Sequence, residues 1–213
     1  MGHTSDPVLL VLNGVRLKGF ADPGALVDVT GLERTHVDTV LADLGSGGLV
    51  THREGRVSGW ALTPAGQAEH RCRLETELEQ AGCGAEVEAR YQEFLGLNPR
   101  FLAAATAWQM RDVDGQAVLN DHADRAYDDE VLATLRRLHD EALPLAAALG
   151  RLLDRYAGYG PRMSAAIARV EAGELDWFTK PLVDSYHTVW FELHEDLLLT
   201  LGRNRSEEEE VRT

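Results

Sequence analysis

The sequence predicts a mainly α-helical protein with one β-hairpin close to its N-terminus. Apolar residues recur with helical spacing along most of the chain, and an Asp or Thr followed by Pro, a helix-start signal, precedes two of these stretches. The 213 residues, 44% of them hydrophobic and 26% charged, fit one large domain or two small ones. Because Gly82-Cys83-Gly84 separates two differently patterned regions, we expect one domain at residues 1–82 and another at residues 83–213.

The pattern of the first region predicts three short helices, a hairpin and a longer helix. The third helix carries Val37, Val40, Leu41 and Leu44 at positions i, i+3, i+4 and i+7, which is typical of a face packed on a core. The segment Arg53-Glu54-Gly55-Arg56 joins two strand-like runs, with Gly supplying the turn. The predicted helices span residues 8–18, 25–29, 33–44 and 63–80, and the predicted strands span residues 49–52 and 57–62.

This order of elements is that of a winged helix-turn-helix. Three local sequences agree with it: Thr30-Gly31-Leu32-Glu33-Arg34-Thr35-His36-Val37, then Gly48-Leu49-Val50, then Leu62-Thr63-Pro64-Ala65-Gly66. Over residues 8–80 the chain resembles MarR-type and related bacterial regulators, in which a recognition helix leads to a "GLV" strand, a basic wing and an "LTPAG" helix start. The resemblance implies a transcriptional regulator that binds double-stranded DNA.

The polar side of the third helix and the hairpin tip carry the predicted DNA contacts. Thr and His side chains can reach base edges or phosphates, and Arg can pair with a guanine edge or a phosphate. A single winged helix has little specificity, so we expect a homodimer on a palindromic site. The candidate DNA-binding residues are Arg34, Thr35, His36 and Thr39 on the helix and Arg53 and Arg56 on the wing.

The charge distribution restricts where DNA can bind. The chain carries a formal net charge of −14, but residues 1–73 hold seven basic and eight acidic side chains, so nearly all of the excess lies in the remainder. Because affinity for nucleic acid comes largely from neutralised phosphates, any DNA contact belongs in the first third. The acidic balance leaves an alternative open, namely a protein-interaction module whose winged helix does not bind DNA.

The second region is predicted to be entirely helical. Its helices are expected at residues 86–97, 98–110, 128–153 with a kink at Pro144, 162–172 and 180–202. In architecture it loosely resembles the helical effector domains of one-component regulators such as the GntR group. The stretch from Asp184 to Leu198 is similar to a segment of uncharacterised actinobacterial regulators of this length.

Histidine and aromatic residues of this region predict a small-molecule pocket. On the last helix His187 and His194 share the apolar side with Tyr186 and Trp190, while Glu192 falls on the polar side. Two alternatives stay open: core histidines satisfied by buried carboxylates or carbonyls, and a metal site completed by His122, Asp121 or His139. Asn120 or Asp121 is also expected to cap a helix. The candidate effector-binding residues are Trp108, Asn120, His122, Tyr127, Tyr186, His187, Trp190 and His194.

Other function classes find little support in the sequence. No phosphate-binding loop, dinucleotide-binding glycine pattern, nucleophile elbow or zinc-protease motif is present, so we expect neither an enzyme nor a cofactor. No apolar run approaches the length of a membrane span, and the N-terminus lacks the pattern of a signal peptide. Cys72 and Cys83 are the only cysteines, which indicates a reducing cytoplasm.

Overall fold

A computed structural model describes residues 2–55, 58–181 and 183–203. Within these residues the fold is mainly helical, as predicted, with two small antiparallel hairpins. The elements of the first region are α1 (Pro7–Lys18), α2 (Pro23–Thr30), α3 (Arg34–Ser46), β1 (Val50–Arg53), β2 (Gly59–Leu62) and α4 (Pro64–Ala81). Those that follow are α5 (Gly84–Gln109), β3 (Met110–Val113), β4 (Gln116–Leu119), α6 (Arg125–Leu152), a 3₁₀ turn (Asp154–Tyr156), α7 (Tyr159–Glu171), α8 (Asp176–Thr179) and α9 (Tyr186–Thr200).

The helix starts of the first region follow from side-chain capping. Asp22 accepts hydrogen bonds from the amides of Gly24 and Ala25, and Thr63 accepts one from Gly66, in each case with Pro as the next residue. These caps satisfy amide groups that have no partner inside a helix, and Pro adds a φ already suited to the first turn. Both predicted starts are therefore confirmed, and so is the buried stripe of α3.

The first hairpin is joined to the chain between α1 and α2. β1 and β2 pair antiparallel with Val50 opposite Leu62. Outside that pair, Ala21 exchanges two backbone hydrogen bonds with Trp60 of β2, at 2.9 and 2.8 Å. The sequence does not predict this third strand-like contact. It fixes β2 against the residues that precede α2.

Three predictions for the second region are wrong. The segment from Gly84 to Gln109 is one helix with Pro99 inside it, because buried neighbours such as Phe94 and Phe101 hold both sides of the proline in one core. The region is not entirely helical either, since β3 and β4 form a hairpin with Met110 opposite Leu119. The last helix begins at Tyr186 rather than near residue 180, with the Ser185 side chain capping the amide of Thr188.

Two hydrophobic clusters form the core. One lies among α1, α2, α3 and β1, and the other runs from Cys83 to Leu198 through α5, α6, α7 and α9. Helix α1 contacts α9 as well as α3 and α4, so it packs against elements of both regions. The N-terminal segment strengthens this connection, because His3 exchanges backbone hydrogen bonds with Leu152 and Asp154 at 2.9 and 3.0 Å.

Candidate nucleic-acid interface

One side of α3 is exposed along its whole length. Val37, Val40, Leu41 and Leu44 are buried, as the periodicity predicts, and they hold the helix against α1 and α2. The opposite side faces solvent from the first turn onwards. It presents all four of the predicted contact residues on α3: Arg34, Thr35, His36 and Thr39.

This side of α3 carries one cation, Arg34, and two carboxylates, Asp38 and Asp43. Arg34 Nε donates to both carboxylate oxygens of Asp38 at 3.0 Å, and both side chains are about half exposed. Thr39 donates its hydroxyl to the carbonyl oxygen of Thr35 at 2.8 Å. Because exposed ion pairs contribute only about 0–1 kcal/mol, Arg34 can exchange Asp38 for a phosphate at small cost.

The first hairpin lies beside α3 and adds one described cation. Arg53 at the end of β1 is exposed, and the neighbouring His52 ring lies 5.1 Å from that of Trp60. Trp60 in turn is fixed by its backbone pairing with Ala21. Arg56, the other predicted wing contact, lies outside the described residues.

The predicted effector residues fall into two groups. In the first, between β4 and α6, Asn120 Nδ2 donates to Asp128 Oδ1 at 2.7 Å, and His122 Nδ1 lies 3.0 Å from Asp128 Oδ2. The His122 ring lies 4.5 Å from that of Trp108, and Tyr127 donates to the carbonyl oxygen of Ala107 at 2.9 Å. Asn120 and Asp121 do not cap α6; that role belongs to Asp124, which accepts from the amide of Tyr127.

The second group lies on α9 and is packed against α5. Trp190 donates its Nε1 hydrogen to Asn98 Oδ1 at 2.9 Å, and its ring lies 4.6 Å from that of Phe101. The Tyr186 hydroxyl lies 3.2 Å from His139 Nδ1, and the His194 ring lies 5.0 Å from Phe94. Trp190, Tyr186 and His194 are therefore already in contact with other side chains of the protein.

His187 differs from those three because it lines a cleft between α1, α2 and α9. Its ring stacks on Phe101 at 5.8 Å, and burial lowers its pKa. An imidazole with a lowered pKa is neutral at pH 7 and can both donate and accept a hydrogen bond. As for metals, the described residues contain no group of three or more His, Cys, Asp or Glu arranged to hold an ion.

Arg155 lies at the centre of a buried ionic cluster that the sequence does not predict. Arg155 donates to Glu77 Oε2 at 2.7 Å, to Asp196, and to Thr200 Oγ1 at 2.6 Å, and all four side chains are buried. Burial disfavours the charge on Arg155, but Asp196 and Glu77 outweigh it and raise its pKa well above the usual value. The cluster joins α4, the 3₁₀ turn and α9.

A second set of charges joins α1 to α9. Lys18 lies 2.7 Å from Glu192 and 3.2 Å from Asp184, and Arg162 contacts the same two carboxylates at 2.5 and 2.6 Å. Although burial opposes ionisation, the hydrogen bond from Arg162 holds the pKa of Asp184 below its usual value. Glu192 was predicted on the polar side of the last helix, but it is buried against these two cations. The neighbouring Phe191 is instead 49% exposed.

No sequence signal pointed to these partners. Asn13 donates to Asp196 across 183 positions of the chain, and Lys18 meets Asp184 across 166. A helical wheel places residues on one helix only, so it cannot show which of two faces a distant helix covers.

No family model matches the chain, and neither a curated protein nor a solved structure is significantly similar to it. None of the described helices combines the length and apolar character that crossing a membrane requires.

Proposed function

We propose that residues 1–82 form a winged helix-turn-helix that binds double-stranded DNA, and that the protein is a dimeric transcriptional regulator. The main support for this proposal is the exposed polar side of α3. It stands opposite a fully buried aliphatic stripe, so the helix is held firmly while its contact residues remain free to enter a groove.

The arrangement around α3 supports the same function. α2 packs on α3, and the hairpin follows α3 directly with Arg53 exposed at its described end. The pairing of Ala21 with Trp60 joins β2 of that hairpin to the segment before α2. A helix for the major groove and a hairpin for the adjacent backbone are thereby held in one unit.

The test is a salt titration of duplex binding. Operator fragments are first selected from a random-sequence duplex pool at low salt, and binding of a labelled duplex is then followed by fluorescence anisotropy from 50 to 200 mM salt. Replacing Arg53 or the pair Arg34 and Arg56 with Ala is expected to weaken binding and to flatten the logarithmic salt slope by about one unit for each phosphate that is no longer neutralised. Arg137→Ala, an exposed arginine of α6, is the control and leaves both quantities unchanged.

A protein-interaction module is the second candidate, and the charges on α3 favour it. Arg34 is the only arginine or lysine of that helix, and it is paired with Asp38 while Asp43 is also exposed. If no duplex is retained at 50 mM salt and no operator emerges from selection, the DNA proposal is wrong. Capture of a protein partner that Arg34→Ala and Thr39→Ala abolish would then establish the module.

A further inference from the structure

A cleft of about 680 Å³ separates the first region from the start of α9. One wall comes from the end of α1 and from α2, with Leu17, Phe20 and Asp28. The other comes from the segment before α9 and from α9 itself, with His187 and Phe191. The volume lies within the range of about 300–1,000 Å³ that small-molecule sites occupy.

The walls of the cleft are mostly apolar and include two aromatic rings. Phe191 is 49% exposed, although the opposite face of α9 is buried. Phe20 lies on the opposite wall, next to the backbone that pairs with Trp60. A ligand between the walls would therefore contact aromatic surface contributed by both regions.

The charges of the cleft determine what kind of ligand fits. Lys18 lies in the lining and is already engaged by Asp184 and Glu192, so it offers no free positive charge to an anion. Arg162 neutralises the second charge of that carboxylate pair. Asp28, in contrast, is exposed and has no ionic or hydrogen-bonding partner among the described residues. The balance at the cleft is therefore negative, and the unmatched charge belongs to Asp28.

From these observations we infer that the cleft binds an apolar organic cation, held between Phe20 and Phe191 with its positive charge towards Asp28. Aromatic faces attract cations, and a carboxylate without a partner supplies the complementary charge. Neutral His187 adds a hydrogen-bonding group that does not repel the ligand. Binding itself, and the contact it makes between α2 and α9, is independent of the proposed function; only an effect of the ligand on DNA binding through α3 rests on that function.

The experiment uses two probes of the same shape and opposite charge. Isothermal titration calorimetry measures tetraphenylphosphonium and tetraphenylborate binding to the full chain in the absence of DNA. Saturable binding of the phosphonium at one site per chain is expected, with binding of the borate at least about tenfold weaker because of Asp28. Asp28→Asn and Phe191→Ala are each expected to weaken phosphonium binding about tenfold.

Matched variants separate the cleft from general attraction to an acidic protein. Asp129→Asn removes an exposed carboxylate of α6, and Leu102→Ala removes an exposed apolar side chain of α5; both are expected to bind the phosphonium within twofold of the unmodified protein. Equal affinity for the two probes, unchanged binding in Asp28→Asn and Phe191→Ala, or no saturable binding at all would each overturn the inference. Since DNA is absent, a failure of the DNA proposal leaves these outcomes unaffected.

Discussion

Arg155 and Glu77 form a buried ion pair of 2.7 Å between residues that lie 78 positions apart in the chain. The pair connects α4 of the first region to the 3₁₀ turn of the second. Asp196 and Thr200 complete the coordination of the same guanidinium. The contact between the two regions therefore combines a buried polar cluster with apolar packing of Leu78 and Ala81 against the second hydrophobic cluster.

Arg155→Met is expected to destabilise the protein by about 3–5 kcal/mol, because it leaves Glu77 and Asp196 buried without their cation. The measurement is the free energy of unfolding in urea. Arg136→Met, which breaks the exposed pair of Arg136 with Glu171, is the control and is expected to cost no more than about 1 kcal/mol. A similar decrease in the free energy of unfolding of the two variants would show that the buried cluster contributes no more to stability than an exposed ion pair.

The stability of the protein is expected to fall as the pH decreases from about 6.5 to 4, and His70 is one cause. Burial lowers the pKa of His70 to about 4, with Arg155 and Arg16 lowering it further and Asp196 raising it. The unfolded chain therefore takes up a proton at His70 over this interval while the folded chain does not, which favours unfolding.

The variant His70→Gln isolates this effect, because the remaining titratable groups stay in place. The unmodified protein is expected to lose up to about 3 kcal/mol more than the variant between pH 7 and pH 4. Below the folded pKa both lose stability in parallel. Parallel profiles over the whole range, measured by urea unfolding at each pH, would contradict the assignment to His70.

Gly66→Ala is expected to destabilise the first region. A Cβ at this position would lie 1.9 Å from the carbonyl oxygen of Leu49, so α4 or the segment before β1 must move. We expect a decrease of about 1–3 kcal/mol in the free energy of unfolding, as for other overpacked sites. Gly96→Ala is the control: it meets no atom within 4 Å in α5 and is expected to stabilise the protein by about 0.5–1 kcal/mol. Thermal unfolding of the two variants gives the comparison.

The proposed regulator is expected to be a homodimer in solution. Multi-angle light scattering during gel filtration is expected to give twice the chain mass of 23.4 kDa, and the complex with a palindromic duplex to contain two chains. A mass of 23.4 kDa for the free protein, together with a single chain in the complex with DNA, would show that the protein is not a dimer.

The sequence predicted those elements whose signals are local. Asp22-Pro23 and Thr63-Pro64 begin helices because each cap needs only its own neighbours, and the stripe from Val37 to Leu44 identifies the buried side of α3. The β3–β4 hairpin also had a local signal, Asp114-Gly115, where both residues have positive φ. The flanking strands are four residues long and largely exposed, so no alternation of apolar and polar residues predicts them.

Features that depend on distant partners could not be predicted. Glu192 is buried because Lys18 of α1 and Arg162 of α7 form ion pairs with it, and neither ion pair can be inferred from the sequence of α9. Pro99 lies inside α5 because packing against the second core outweighs its missing amide. The cleft, likewise, exists only where α1, α2 and α9 come together.

The contacts between the first region and the second affect the stability of the first region when it is produced alone. Asn13 and Glu77 complete their hydrogen bonds with Asp196 and Arg155 of the second region, whereas the partner of His70 is Asn13 itself. A fragment that ended at residue 82 would keep every element of the first hydrophobic cluster yet leave Asn13 and Glu77 without the side chains that satisfy them. The excised unit is thus expected to be less stable than its own core suggests, and an autonomous version requires replacement of those two side chains.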